Sequence, residues 1–159
     1  MAVGRASMSD LNPKQQREQD AFRRFIERYG TKNDWESISS RPEPEPDLLC
    51  IHRILGEIAF ELVSLTDPTL AESVAAGTKN SSDAFTTSDP SERVVRKKLH
   101  SKYVAKAPRI ELLIYSGRLI TPDEVVISTI LPWFDAIPHQ FKKVWFMGEL
   151  TTDCIWSEN

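Results

Sequence analysis

The pattern of apolar and polar positions divides the first half of the chain into a helix and two strands. Between residues 14 and 29 four apolar residues recur at helical spacing, with Pro13 suited to the start of a helix and Gly30 to its end. Apolar runs predict strands at Asp47–Ile51 and Glu57–Leu65, joined by a short turn. The second run is apolar on both faces, so we expect it to be a central strand covered on both sides.

The second half of the chain predicts further helices and strands after a long stretch without a regular apolar pattern. Residues Thr66–Pro90 are rich in Ser, Thr, Ala and Asp and predict a long loop. Helices are predicted at Arg93–Lys106 and from Thr121 to Ile137, the latter bent or broken at Pro132. The remaining strands are predicted at Arg109–Tyr115, Lys143–Met147 and Cys154–Trp156. This order predicts an α/β domain over residues 13–159, a mixed sheet flanked by helices, behind a flexible tail of residues 1–12.

Composition narrows the class of protein. A chain of 159 residues fits one domain with a sizeable core, and its net charge of −3 gives no general support for nucleic-acid binding. Cys50 and Cys154 lack metal-ligand spacing and are expected to be free thiols in a reducing cytoplasm. No stretch is long enough for a membrane span, and the N-terminus has no apolar signal region, so we expect a soluble cytoplasmic protein without a membrane partner.

Two acids stand at or inside the apolar strands. Glu61 lies in the middle of its strand, where an unpaired carboxylate costs several kcal/mol, so it is predicted to be paired or to act as a ligand. Asp47 follows a proline at a strand entry, and its commonest role there is that of a turn residue.

Helical projection adds three charged residues on the sheet-facing sides of two helices. Lys98 and Lys102 lie within the apolar arc of the second predicted helix, where a lysine either snorkels to solvent or meets an acid such as Glu61. Glu18 lies within the apolar arc of the first helix, as a third carboxylate or as a surface residue near the helix start.

The series Pro46-Asp47, the mid-strand Glu61, a helix and the apolar strand Glu111-Leu112-Leu113-Ile114-Tyr115 resembles the PD-(D/E)XK nuclease-like superfamily. The resemblance covers roughly Lys14 to Met147. It implies a restriction-endonuclease-like αβββαβ core and metal-dependent hydrolysis of phosphodiester bonds in nucleic acid. By the match, Mg²⁺ or Mn²⁺ would be held by carboxylates and one backbone carbonyl: Asp47, Glu61, Glu18 and the carbonyl of Leu62.

One position departs from the family pattern. The lysine expected two residues after Glu61 is Val63, which cannot donate to a phosphate. Some members of the superfamily carry that lysine on the following helix, so Lys98, slightly favoured, or Lys102 would orient the attacking water.

Two other functions stay open at this stage. Val63 and the net acidity favour a catalytically inactive member of the same fold, which would act as a binding or interaction module. A small α/β protein with unrelated chemistry is the third alternative. The sequence does not choose DNA over RNA, endo- over exo-cleavage, or a monomer over a homodimer.

Overall fold

The computed structural model describes residues 10–65, 90–116 and 121–159, without the side chains of residues 90–92. Within these ranges the chain forms three α-helices and a six-stranded mixed sheet. In chain order the elements are helix α1 (Pro13–Tyr29), strands β1 (Trp35–Ser40), β2 (Leu48–His52) and β3 (Gly56–Leu65), helix α2 (Pro90–His100), strand β4 (Ile110–Ser116), helix α3 (Asp123–Ala136), and strands β5 (Phe141–Met147) and β6 (Thr152–Ser157). The predicted α/β class is confirmed.

The strands lie side by side in chain order, from β1 at one edge to β6 at the other. Strands β3, β4 and β5 are parallel, and the remaining neighbours pair antiparallel. Helices α2 and α3 connect the parallel strands and pack on one face of the sheet, whereas α1 packs on the other. The sheet is therefore covered on both sides, as parallel strands require.

Strand β3 has apolar side chains on both faces because it separates the two halves of the core. Ala59 and Val63 pack on the side of α2 and α3, and Phe60 packs on the side of α1. The ring of Phe22 from α1 lies 4.8 Å from that of Phe60, between ring centroids. The prediction that β3 is a central strand covered on both sides is confirmed, and Glu61 is the buried acidic residue of this strand.

Strand β1 falls between the first predicted helix and the first predicted strand, where no element is predicted. Its residues are half-buried or exposed, and it pairs only with β2, at the edge of the sheet. An edge strand needs little apolar surface, so its sequence shows no strong alternation.

The predicted helix Arg93–Lys106 is too long. In the structure α2 ends at His100, because the backbone beyond it finds partners elsewhere. The N–H and carbonyl of Tyr103 pair with the side-chain amide of Gln140, at 2.8 and 3.1 Å, and the N–H of Val104 donates to the carbonyl of Pro44 at 3.1 Å. Lys102 therefore lies outside the helix.

Helix α3 runs unbroken through Pro132, so the expected break there is wrong. Pro132 is exposed. Its ring therefore faces solvent, as does the backbone carbonyl that lacks a hydrogen-bond donor because proline has no N–H. At the other end, the Asp123 carboxylate accepts hydrogen bonds from the N–H groups of Glu149, Leu150 and Thr151 in the β5–β6 turn. Helix α3 is thereby tied to that hairpin.

Two predictions lie almost wholly outside the described residues. These are the long loop Thr66–Pro90, of which only Pro90 is described, and the flexible tail, of which residues 10–12 are described. Within the described ranges, the helices lack the combination of length and apolar character that crossing a membrane requires.

Candidate functional site

The site forms where strands β2 and β3 separate. Their antiparallel register pairs Leu48 with Phe60, and β2 begins at Leu48 whereas β3 continues for five more residues. Asp47 is the residue just before the paired region on one strand, and Glu61 is the residue just after it on the other. The two acids therefore face each other at the fork.

Each acid satisfies a backbone N–H that the ladder no longer pairs. Glu61 Oε1 accepts a hydrogen bond from the N–H of Asp47 at 3.0 Å, and Asp47 Oδ2 accepts one from the N–H of Leu62 at 2.9 Å. The carbonyl of Asp47 in turn accepts a hydrogen bond from the N–H of Arg41 at 2.9 Å. These reciprocal bonds fix both carboxylates without any ligand.

Lys98 reaches this fork from α2. Its Nζ forms an ion pair with Glu61 Oε2, and the Glu61 side chain is only 5 % exposed. Burial lowers the pKa of Lys98, but hydrogen bonding to Glu61 and the charges of Glu61, Asp47 and Glu18 outweigh burial and raise it. The lysine is therefore held as a half-buried cation.

Burial, followed by the negative charge of Asp47, raises the pKa of Glu61 to about 7, even though hydrogen bonding and charge from Lys98 lower it. One half-buried lysine does not balance the acids around it. The carboxylate at Glu61 is thus poised between its two protonation states near neutral pH.

Glu18 approaches the same fork from α1, on the opposite side of the sheet. It is 7 % exposed, and its carboxyl hydrogen-bonds to that of Asp47. Burial first, then the charge of Asp47, raises the pKa of Glu18 to about 7, against the lowering effect of an exposed lysine, Lys14, at 3.7 Å. Two carboxyl groups in hydrogen-bond contact share a proton, so Glu18 donates to Asp47 when protonated.

Tyr103 lines the site from the segment after α2. Its hydroxyl donates to the carbonyl of Lys98 at 3.3 Å. Burial first, then the charge of Glu61, raises the pKa of this hydroxyl, and a hydrogen bond to the Glu61 carboxylate acts in the same direction. Tyr103 lies inside the predicted helix Arg93–Lys106, whereas in the structure it follows the end of α2 at His100.

The structure therefore brings together four of the six residues that the sequence analysis names as site side chains or ligands: Glu18, Asp47, Glu61 and Lys98. Leu62 lies beside them and contributes its N–H, while its side chain packs in the core beneath α1. Lys102 is exposed, and among the described contacts none joins it to Glu61. Of the two lysines that the sequence leaves open, Lys98 is the one that neighbours Glu61.

A second buried acid, Glu111, lies on the neighbouring strand and belongs to a different cluster. It is 3 % exposed and faces the α1 side of the sheet. Its Oε2 pairs with Arg109 Nε at 2.9 Å and its Oε1 accepts from Trp145 Nε1 at 2.7 Å. The sequence carries one signal for it, an acid in an apolar strand with an arginine two residues earlier.

The donor chemistry at the fork suits a hard divalent cation. Carboxylate oxygens are the ligands that Mg²⁺ and Mn²⁺ prefer, and three acids here surround one half-buried lysine. With both Glu61 oxygens engaged, however, no group of three or more His, Cys, Asp or Glu residues in the described ranges has the arrangement of a metal site. The residue types fit such a cation, and binding one requires the carboxylates and Lys98 to rearrange.

Comparison of the chain with protein-family models, with curated proteins and with solved structures gave no match. At the level of fold, the described residues form an α/β protein whose three helices pack against a six-stranded mixed sheet.

Proposed function

We propose that this chain is a metal-dependent phosphodiesterase of the PD-(D/E)XK nuclease-like superfamily, which hydrolyses phosphodiester bonds in nucleic acid. The observation that carries the proposal is the ion pair between Lys98 and Glu61 beside Asp47. It supplies, from α2, the positive charge that is missing at Val63. The order α1, β1, β2, β3, α2, β4 further supports it, because it is the αβββαβ order of that superfamily.

The residues of the site divide into two roles. Asp47 and Glu61 would hold Mg²⁺ or Mn²⁺, supported by Glu18 and the carbonyl of Leu62, and the bound ion would lower the pKa of water and neutralise phosphate charge. Lys98 would turn its ammonium group toward the scissile phosphate, orient the attacking water and stabilise the negative charge of the transition state.

A second function is favoured by a specific observation. Both oxygens of Glu61 already have partners, Asp47 N–H and Lys98 Nζ. A site satisfied in this way is stable without a metal ion, which suits a catalytically inactive member of the fold that acts as a binding or interaction module. The two functions differ in whether the carboxylates bind a cation.

Calorimetric titration with Mn²⁺ separates the two functions. The wild-type protein is expected to bind Mn²⁺. Glu61→Gln removes a charged oxygen donor, and it is expected to weaken Mn²⁺ binding by on the order of 10–100-fold. The matched control is Glu111→Gln, which changes an equally buried acid on the next strand and should leave the affinity unchanged.

Cleavage assays on single- and double-stranded DNA and RNA complete the test. Asp47→Asn and Lys98→Met are expected to abolish Mn²⁺-dependent cleavage, whereas Lys102→Met keeps it. If Asp47→Asn and Glu61→Gln cleaved as well as the wild type, the assignment would be wrong. A wild-type protein that binds no Mn²⁺ would point to the interaction module.

A further inference from the structure

Helix α2 carries basic residues on the side that faces away from the sheet. Its core side is set by Val95 and Leu99, which are 0 % and 2 % exposed. Lys98 lies on one flank of that side, where it pairs with Glu61. The other basic residues of the helix are all exposed and follow the i, i+3, i+4, i+7 spacing that aligns side chains along a helix: Arg93, Arg96, Lys97 and His100. We call this row the basic face of α2.

The positive charge of the basic face is not neutralised by acids of its own segment. Between residues 93 and 110 the sequence contains no Asp or Glu. Among the ion pairs between described side chains, none involves Arg93 or Lys97. On α1, by contrast, acids lie among the cations, and Arg23 pairs with Asp20 at 3.5 Å. Positive charge is therefore concentrated on α2, in a chain whose net charge is −3.

One member of the basic face, Arg96, is held by the neighbouring helix. Its guanidinium carbon lies 5.3 Å from the centroid of the Trp133 ring on α3. This is within the range of about 6 Å over which a cation is attracted to an aromatic face. The contact orients the guanidinium group while Arg96 stays exposed. Because a side chain that is already ordered loses less entropy when it binds, Arg96 is prepared to contact a ligand.

The basic face suits a linear polyanion better than a membrane surface. Side chains three or four positions apart on a helix are about 5–6 Å apart, so positive charges recur at short intervals along the row. A nucleic-acid backbone carries one negative charge per phosphate and is bound by such Lys and Arg side chains. A helix that lies on a membrane must also insert an apolar side. The apolar side of α2 is buried in the core at Val95 and Leu99 and has none to insert.

We infer that the basic face of α2 binds the phosphate backbone of a nucleic acid. The choice of nucleic acid among linear polyanions rests on the proposed function, whereas the charge of the face is independent of any metal ion. The same helix directs Lys98 toward Glu61, so α2 would contact the backbone on its outer side and the candidate site on its inner side. Contacts to phosphate position a nucleic acid without reading its bases, so the binding should depend on salt and not on base sequence.

The test is fluorescence anisotropy with labelled duplex DNA, single-stranded DNA and single-stranded RNA, in EDTA so that cleavage does not interfere. The logarithm of the wild-type association constant is expected to fall linearly with the logarithm of the salt concentration. The double variant Arg93→Gln/Lys97→Gln is expected to bind more weakly and, on duplex DNA, to reduce the steepness of that line by about 2, at about 0.9 for each lost phosphate contact.

The matched control is Lys32→Gln/Lys142→Gln, which removes the same charge from exposed lysines outside α2 and should keep the wild-type slope. Because all four substituted side chains are exposed, both double variants are expected to keep the wild-type thermal unfolding midpoint. A slope reduced equally in the two double variants would show a general effect of net charge and would contradict a binding face on α2.

An unchanged slope in Arg93→Gln/Lys97→Gln would also overturn the inference. A wild type that binds phosphatidylserine vesicles or polyglutamate but no nucleic acid would do the same. Mn²⁺-dependent cleavage together with an unchanged slope would overturn the basic face alone. If the wild type neither binds Mn²⁺ nor cleaves, while the α2 double variant still loses affinity for nucleic acid, the proposed function falls and the basic face stands. The two failures are therefore distinguishable.

Discussion

Glu61 and Glu111 are two buried acids on adjacent parallel strands, and their surroundings differ in kind. The register sets Glu61 opposite Leu112 and Phe60 opposite Glu111, so the acids are one step apart and point to opposite faces of the sheet. Glu111 has one partner for each oxygen, the cation of Arg109 and the indole N–H of Trp145. Glu61 has Lys98 as its cation, but it also has two further acids beside it.

The difference shows that burial of an acid does not by itself mark a functional site. Both side chains are nearly inaccessible, at 4 % and 3 % exposed. What distinguishes Glu61 is the presence of two further acids beside it: burial first, then the charge of Asp47, raises the pKa values of Glu61 and Glu18 to about 7. A structural ion pair stabilises the fold, whereas a cluster with more buried acids than cations tends to bind a proton or a cation.

The largest expected effect is on stability at Glu111. Glu111→Ala leaves Arg109 and the Trp145 N–H without their acceptor, and we expect the free energy of unfolding to fall by about 3 kcal/mol, as for other broken buried pairs. Glu61→Gln keeps an acceptor for the Asp47 N–H and relieves repulsion among the acids, so its expected cost is below about 1 kcal/mol. Urea unfolding at neutral pH measures both. Equal losses of unfolding free energy at the two positions would contradict the difference drawn between Glu111 and Glu61.

The next effect concerns Lys98, the cation among the acids. Lys98→Met is expected to lower the free energy of unfolding by about 2 kcal/mol near pH 8, where Glu61 and Glu18 are ionised, and by less near pH 5, where these two residues hold protons. The matched control is Lys102→Met, an exposed lysine of the same segment, expected to stay within about 0.5 kcal/mol at both pH values. If the loss of unfolding free energy in Lys98→Met did not change with pH, Lys98 would not be stabilised by its interaction with these acids.

Much of the fold follows from patterns in the sequence. Strand β3 is predicted because its apolar residues are continuous, and helix α1 because Phe22, Phe25 and Ile26 recur at helical spacing and become buried. Sheet and helix periodicity predicts that Glu61, Lys98 and Glu18 are charges on apolar faces, and the resemblance to the nuclease-like superfamily is what groups Glu18 with Glu61 in one site. These are local signals that the tertiary structure preserves.

The parts that the sequence did not predict depend on partners distant in the chain. The early end of α2 depends on Gln140, 37 residues after Tyr103, and the clamp on the β5–β6 turn depends on Asp123. The second hydrogen-bond partner of Glu111 is the indole N–H of Trp145, one strand away. Strand β1 is an edge strand with mixed polarity, so its pairing with β2 rather than its own pattern makes it a strand.

The last expected effect is the pH dependence that Glu18 and Glu61 impose on stability. They have pKa values of about 7 in the folded protein, against 4.5 ordinarily, so between these values the folded state binds more protons than the unfolded chain. The free energy of unfolding should therefore fall as pH rises from about 5 to about 8. His139, whose pKa burial lowers, acts in the opposite direction, so the comparison of the wild type with Glu18→Gln isolates the acids. Urea unfolding across this range should show a flatter profile for Glu18→Gln and an unchanged slope for Glu111→Gln; if both variants kept the wild-type slope, the excess charge assigned to the fork would not exist.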